Sequence, residues 1–185
     1  MEKINMPEDF KSCIKFHGHL CPGLAIGYRA AKLGLRKIGV KRAADEELIA
    51  IVENDSCAVD AIQFLCSCTF GKGNLYFKDY GKMVFTFADR VSGKSIRLYF
   101  QGVKLENNDN IQESERRNIM IKAIMEGKDE DIFTITPLEE FQMPPKAVIY
   151  ESIRCDICGE TAISSKIINT KGQKICKNCF QEYFE

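Results

Sequence analysis

The chain lacks an excess of charge of either sign: 26 Lys and Arg face 26 Asp and Glu, for a formal net charge of zero. No global field therefore draws it to nucleic acid or to an anionic membrane, although a local basic patch stays open. It also lacks any apolar run near the roughly 18 residues that a spanning helix needs. The first ten residues, MEKINMPEDF, do not place a basic region before an apolar core, so no signal peptide is read there and the expected location is cytoplasmic. Histidine is scarce, with two in 185 residues, and both fall in one short stretch. Cysteine, by contrast, is plentiful at nine. Without an export signal, that number argues for metal binding or thiol chemistry rather than a disulfide framework.

The stretch with both histidines is Phe16-His17-Gly18-His19-Leu20-Cys21-Pro22-Gly23. His17, His19 and Cys21 alternate, so an extended backbone would aim all three to one side. Pro22 suits the first position of a helix, which places Cys21 at the N-cap beside unpaired N–H groups that favour a thiolate. Two imidazoles and a thiolate suit zinc, nickel or iron, given a fourth partner. The plainer alternative is a hydrogen-bonded turn in which Cys21 only packs. From Pro22 to about Ile38, Leu24, Tyr28, Ala31, Leu35 and Ile38 recur at helical spacing. Arg29 falls on the wet side of that helix, within two turns of Cys21, where it can also be read as reaching an anionic ligand.

Leu48 to Val52 is a continuous apolar run that reads as a buried strand. It leads through Glu53-Asn54-Asp55-Ser56 into a helix with Cys57 in its first turn. On that helix Cys57, Ala61, Phe64 and Cys68 share a face. Cys57 is the candidate fourth ligand, because strand-end loops entering helices commonly carry sites; an inert, buried Cys57 is the alternative. Asp60 and Gln63 lie beside that face and can support the cluster or simply be solvated. Cys68 is read as a further cleft residue, and Gly71 and Gly73 as turn glycines with positive φ. Segments 74–80, 82–88 and 95–101 read as an antiparallel meander, followed by a helix capped at Asn108-Asp109-Asn110 and a strand at Phe133 to Thr136. Pro144-Pro145 reads as a stiff connector. The expected organisation is an α+β core domain over 1–146, with helices packed on an antiparallel or mixed sheet, and a small C-terminal domain over 147–185.

That tail holds the most specific pattern in the chain. Cys155-x-x-Cys158 and Cys176-x-x-Cys179 are two knuckles with the spacing of a closed tetrahedral zinc site of treble-clef type. Gly159 suits the knuckle turn, and Lys171-Gly172 a hairpin between the knuckles. A segment this small has little core of its own, so structural zinc is expected to supply its folding free energy.

The combination FHGHLCPGLAIGYRAA, ENDSCAVDAIQ and CTFGKGNL resembles the FmdE family of formylmethanofuran dehydrogenase components, over about Phe16 to Gly81. The resemblance implies an α+β core, a homodimer in which the finger packs on the other protomer, and a cleft of His17, His19, Cys21 and Cys57 holding a metal. It also implies association with the molybdenum or tungsten formylmethanofuran dehydrogenase of methanogenesis, whose pterin site is on another polypeptide of that enzyme. Where members commonly have Gly-Cys-Thr, this chain has Ser67-Cys68-Thr69, preceded by Cys66. The expected function is thus a zinc-containing accessory protein with a metal or redox cleft in which Cys21 and Cys57 are the candidate reactive thiols. Two other classes stay open. One is a nucleic-acid-binding or regulatory finger protein, disfavoured by the charge balance. The other is a stand-alone metalloenzyme, for which Glu53 or Asp60 would have to serve as general base.

Overall fold

The computed structural model describes residues 6–104 and 112–184, and the chain divides into two compact units, 1–146 and 147–185. The first unit begins with α1 (Glu8–His17) and α2 (Pro22–Ile38). They are followed by β1 (Leu48–Val52), α3 (Ala58–Cys66), β2 (Leu75–Phe77), β3 (Val84–Asp89) and β4 (Ser95–Phe100). The unit closes with α4 (Glu113–Glu126), the one-turn α5 (Asp129–Ile132) and β5 (Phe133–Pro137). The caps expected for α4 at Asn108-Asp109-Asn110 lie outside the described residues; Gln112 stands at its N-cap.

The sheet order is β2-β1-β3-β4-β5, a mixed sheet in an α+β unit. β1, β3, β4 and β5 pair antiparallel, with Ile51 opposite Thr86, Phe87 opposite Ile96 and Leu98 opposite Ile135. The expected meander is corrected at one strand. β2 is not hairpinned to β3 but lies at the sheet edge, parallel to β1, with Ala50 opposite Leu75. The reason is the connection: the chain passes from β1 to β2 through α3, and a helical crossover returns a strand in the same direction.

β1 is buried along its whole length. Leu48, Ala50 and Val52 join the main core with Leu24, Phe85, Phe87 and Leu98, while Ile49 and Ile51 pack with Ala88 on the opposite face under Tyr76, Phe141 and Met143. Burial on both faces is why this strand reads as a continuous apolar run rather than an alternating one. The prolines after Met143 are more than a connector. Arg90 donates to the carbonyls of Pro144 (2.7 Å) and Pro145 (3.1 Å), and the Tyr76 hydroxyl donates to Pro145 (2.8 Å).

α2 is the central helix. Its Leu24, Ala25, Ala30, Ala31 and Leu33 are fully buried, and two of its glycines mark where neighbours come closest. A Cβ on Gly34 would collide with the Phe87 ring of β3, and one on Gly27 with the backbone carbonyl of Ala58 at the start of α3. The second contact brings the second turn of α2 against the start of α3.

The second unit holds two antiparallel hairpins and a helix. β6 (Ser152–Arg154) pairs with β7 (Thr161–Ile163), β8 (Ile167–Thr170) with β9 (Gln173–Cys176), and α6 (Lys177–Phe184) follows at once. Lys171 and Gly172 both have positive φ, 48° and 78°, the paired left-handed conformation that closes two-residue hairpins.

Candidate metal centres

His17 does not stand on extended backbone. It is the last residue of α1, whose C-cap Gly18 has φ 98° and donates its N–H to the Ile14 carbonyl at 2.8 Å. The reversal at Gly18 folds His19 back against His17, with ring centroids 4.4 Å apart. The three side chains thus converge by a helix stop rather than by strand alternation. Cys21 occupies the N-cap expected of it, with extended φ and ψ, Pro22 behind it and its Sγ accepting the Leu24 N–H at 3.4 Å.

Cys57 stands one position earlier than the sequence pattern suggested, at the N-cap of α3. Ser56 Oγ accepts the Ala58 N–H at 3.3 Å and is itself held by Asn54 Oδ1 at 2.7 Å. Cys57 reaches the first cluster because α2 presents no side chain at Gly23: a Cβ there would lie 3.1 Å from Cys57 Cβ and 3.9 Å from Cys21 Sγ. Gly23 and Gly27, four residues apart on one helix face, were the available sequence signal for this close approach.

The result is one nitrogen from each of His17 and His19 and the sulfurs of Cys21 and Cys57, all within 4.8 Å of one another. His17 Nε2 lies 3.9 Å from Cys21 Sγ, and tetrahedral zinc with ordinary bond lengths places such atoms about 3.6 Å apart. On its other side, His17 Nδ1 meets Asp60 Oδ2 at 2.7 Å, and Gln63 Nε2 donates to Asp60 Oδ1 at 3.3 Å. Asp60 therefore holds a proton on Nδ1 and leaves Nε2 as the free donor atom, the usual support of a metal-ligating histidine. Burial and the neighbouring Cys21 thiol push the Cys57 pKa up, so two adjacent thiolates need a cation among them.

The remaining core cysteines do something else. α3 ends at Cys66, and Ser67 turns the chain with φ 56°, so the helical spacing from Cys57 does not extend to Cys68. Cys68 is fully buried with its Sγ 3.6 Å from the Leu48 carbonyl, at the opposite end of β1 from the loop that leads to Cys57, and is not a cleft residue. Burial pushes its thiol up to about 12 and that of Cys66 well above the usual range. Of the two turn glycines, Gly73 has positive φ (71°) and Gly71 does not.

Arg29 is also committed elsewhere. Its guanidinium donates to the carbonyls of Ile124 (2.5 Å), Met125 (2.7 Å) and Gly127 (2.7 Å) and pairs with Asp129 (2.8 Å). It satisfies the C-terminal carbonyls of α4 rather than facing Cys21. Glu53, one of two candidate bases, is nearly buried and sits 3.5 Å from Arg97.

In the second unit, the sulfurs of Cys155, Cys158, Cys176 and Cys179 also lie within 4.8 Å of one another. Cys158 Sγ and Cys176 Sγ are 4.0 Å apart, against about 3.8 Å for four thiolates around tetrahedral zinc. Gly159 has φ 74° and donates its N–H to the Cys155 carbonyl at 3.0 Å, closing the first knuckle. The Cys176 N–H points at Cys155 Sγ from 3.3 Å. Backbone N–H groups of Cys176 and Cys158 hold the Cys155 thiol down at about 6. Cys155, Ile175 and Cys179 form the buried centre of this unit, with Cys176 and Phe180 against it.

Fold and clusters together define a mixed α+β protein with a two-histidine, two-cysteine cluster in its core and a C-terminal four-cysteine unit that fits a zinc finger. Residues 16–134 match the family described as FmdE, Molybdenum formylmethanofuran dehydrogenase operon, and the chain belongs to that family. A solved FmdE-like protein of tungsten formylmethanofuran dehydrogenase type, from Syntrophus aciditrophicus, shares the fold, with a TM-score of 0.66 and 22% identity over 95% of this chain and 91% of that one. A curated protein of Archaeoglobus fulgidus, named as a probable S-adenosyl-L-methionine-binding protein, is 30% identical over 196 residues. The match covers 92% of this chain and 52% of that protein, so the chain spans about half the length of this relative. No helix among the described residues is long and apolar enough to cross a membrane.

Proposed function

We propose that this chain is a metal-binding accessory protein of its family, with a transition-metal centre in the core unit and a structural zinc in the C-terminal unit. The observation that carries the first centre is the His17–Asp60 contact at 2.7 Å beside Cys21 and Cys57. A carboxylate that fixes the outer nitrogen of a histidine whose inner nitrogen faces two thiols is the arrangement of a prepared ligand set. His17 Nε2, His19, Cys21 Sγ and Cys57 Sγ hold the ion, and this soft-to-borderline set suits zinc, nickel or iron. A metal bound there supplies a Lewis-acidic centre, or a redox one if iron or nickel is the ion. Asp60 keeps the His17 proton on Nδ1. The N-terminus of α2 gives the Leu24 N–H to Cys21 Sγ, and Cys57 stands beside it at the N-cap of α3. The accessory role, with a homodimer acting beside the other polypeptides of a formylmethanofuran dehydrogenase, follows the family: Asp60 is engaged by His17 and Glu53 by Arg97, which leaves neither candidate base unclaimed. A nucleic-acid role for the finger is less supported by the balanced charge.

Elemental analysis tests the reading. The protein is expected to hold two metal ions per chain, and a folded His17→Ala/Cys21→Ser variant one. One ion in both overturns the core centre and leaves a dithiol cleft. The curated relative adds a second ligand to the same preparation. Calorimetric titration with S-adenosyl-L-methionine tests whether that binding belongs to the half of the relative that this chain matches.

A further inference from the structure

The four core donors are not held equally. His17 is gripped by Asp60, and its side chain is 11% exposed. Cys21 Sγ takes the Leu24 N–H, and Cys57 is wedged at the N-cap of α3 with its Cβ against the bare Gly23. Each of these three positions is fixed by contacts that need no metal. His19 is the exception. It is the one exposed member of the cluster, and it follows Gly18, whose positive φ has nothing within 4 Å of an added Cβ. Among the described residues its side chain makes ring contact with His17 and no hydrogen bond.

Three anchored donors and one free, solvent-facing imidazole divide the cluster as a site with an exchangeable position is divided. Closed structural sites hold all four ligands alike, whereas reactive ones keep three and leave the fourth to water or substrate. Resting on the metal-centre reading above, we propose that His19 is the exchangeable ligand of the core centre, yielding its position to a small external monodentate anion. The exchange is a substitution without redox change: the metal–nitrogen bond to His19 breaks, the incoming donor pair forms the new bond, and the imidazole leaves neutral into solvent. The choice of an anion follows from charge. Two helix N-termini end beside the site with partial positive charge, while the neighbouring carboxylate of Asp60 sits on the far side of the His17 ring.

The test uses full-length protein loaded with cobalt(II), whose visible bands report ligand changes, with azide as the probe anion. Spectra are read as differences from the loaded His17→Ala/Cys21→Ser variant, in which the finger alone carries the ion. Azide is expected to shift the core bands of the parent protein saturably and to leave the finger-only variant unchanged. His19→Ala is expected to keep its core cobalt and to respond at lower azide concentration, since no imidazole competes. Absence of an azide response in both parent and His19→Ala overturns the proposal. So does loss of core cobalt in His19→Ala to the extent seen in His17→Ala. Uptake of a single cobalt by the parent overturns the metal-centre reading itself, whereas two cobalt ions with inert core bands overturn the exchange alone. A saturable azide shift is also read on the parent alone, as the difference between its spectra with and without azide, so a misfolded substitution does not block the answer.

Discussion

Asp60 is the residue on which the core site turns, because it decides which imidazole nitrogen of His17 is free. Its contact to Nδ1 is 2.7 Å, and Gln63 steadies its other oxygen at 3.3 Å. Removal of such a support typically costs about 10–100-fold in metal affinity. Asp60→Ala is therefore expected to weaken the core centre by that factor while the finger keeps its metal, as read by competition with a chelator of known affinity. Asp60→Asn is expected to fall between, since an amide oxygen still accepts the Nδ1 proton. At this scale the sequence was informative about identity and less so about geometry. His17, His19, Cys21 and Cys57 were legible because both histidines of the chain stand beside one capping cysteine and a second cysteine follows a buried strand. That His17 ends a helix was not, although Phe10, Cys13 and Ile14 pack on the core at helical spacing, because the alternation of His17, His19 and Cys21 reads equally as extended backbone. Cys68 was misassigned for a related reason: a left-handed Ser67 stops α3, and serine gives no warning of a conformation usually left to glycine.

Among the elements, the pairing of α2 with α3 builds the site, and glycine permits it. Gly27 meets the Ala58 carbonyl so closely that any Cβ must drive the helices apart. Overpacking of this kind costs about 1–3 kcal/mol. Gly27→Ala is expected to lose at least that much stability in urea unfolding and to weaken the core metal as well, since Cys57 moves with α3. The α2–α4 junction has a different basis. Arg29 caps the end of α4 and, with Arg36, pairs with Asp129. Burial pushes the Asp129 carboxyl up, but the two guanidiniums outweigh it and hold the pKa below the ordinary value of 3.8. A depressed carboxylate pKa contributes stability above its unfolded value, and that contribution is lost as pH falls through the folded value. Asp129→Asn is accordingly expected to be less stable than the parent near neutrality and to converge with it below about pH 3.8, measured by thermal unfolding across pH. The pattern of a basic stripe on α2 gave no hint of this, because a charged residue over carbonyls and one over water look alike in sequence.

At the level of the whole chain, the two units draw their stability from different sources. The first has a continuous apolar core of sheet and helix residues, including Phe10, Phe85, Phe87, Leu98 and Ile124. The second buries chiefly Cys155, Ile175 and Cys179, so two of the three residues at its centre are cysteines. Four thiolates gathered that closely repel one another without a cation, and burial with its cysteine neighbours pushes the Cys179 thiol up to about 12. In such units metal binding is folding free energy. Exhaustive chelation is therefore expected to unfold residues 147–185 while the first unit keeps its helices and sheet. Native-state hydrogen exchange separates the cases: amides of β8 and β9 should lose protection on chelation, and those of β1 and β3 should retain it. Loss of protection in both units together would show that the core depends on its metal for folding, and retention in both would show that the finger holds without one. The same contrast explains what could be read in advance. A four-cysteine unit announces its fold through ligand spacing because the metal imposes it, whereas the parallel edge strand β2 depends on a crossover that three paired residues do not encode.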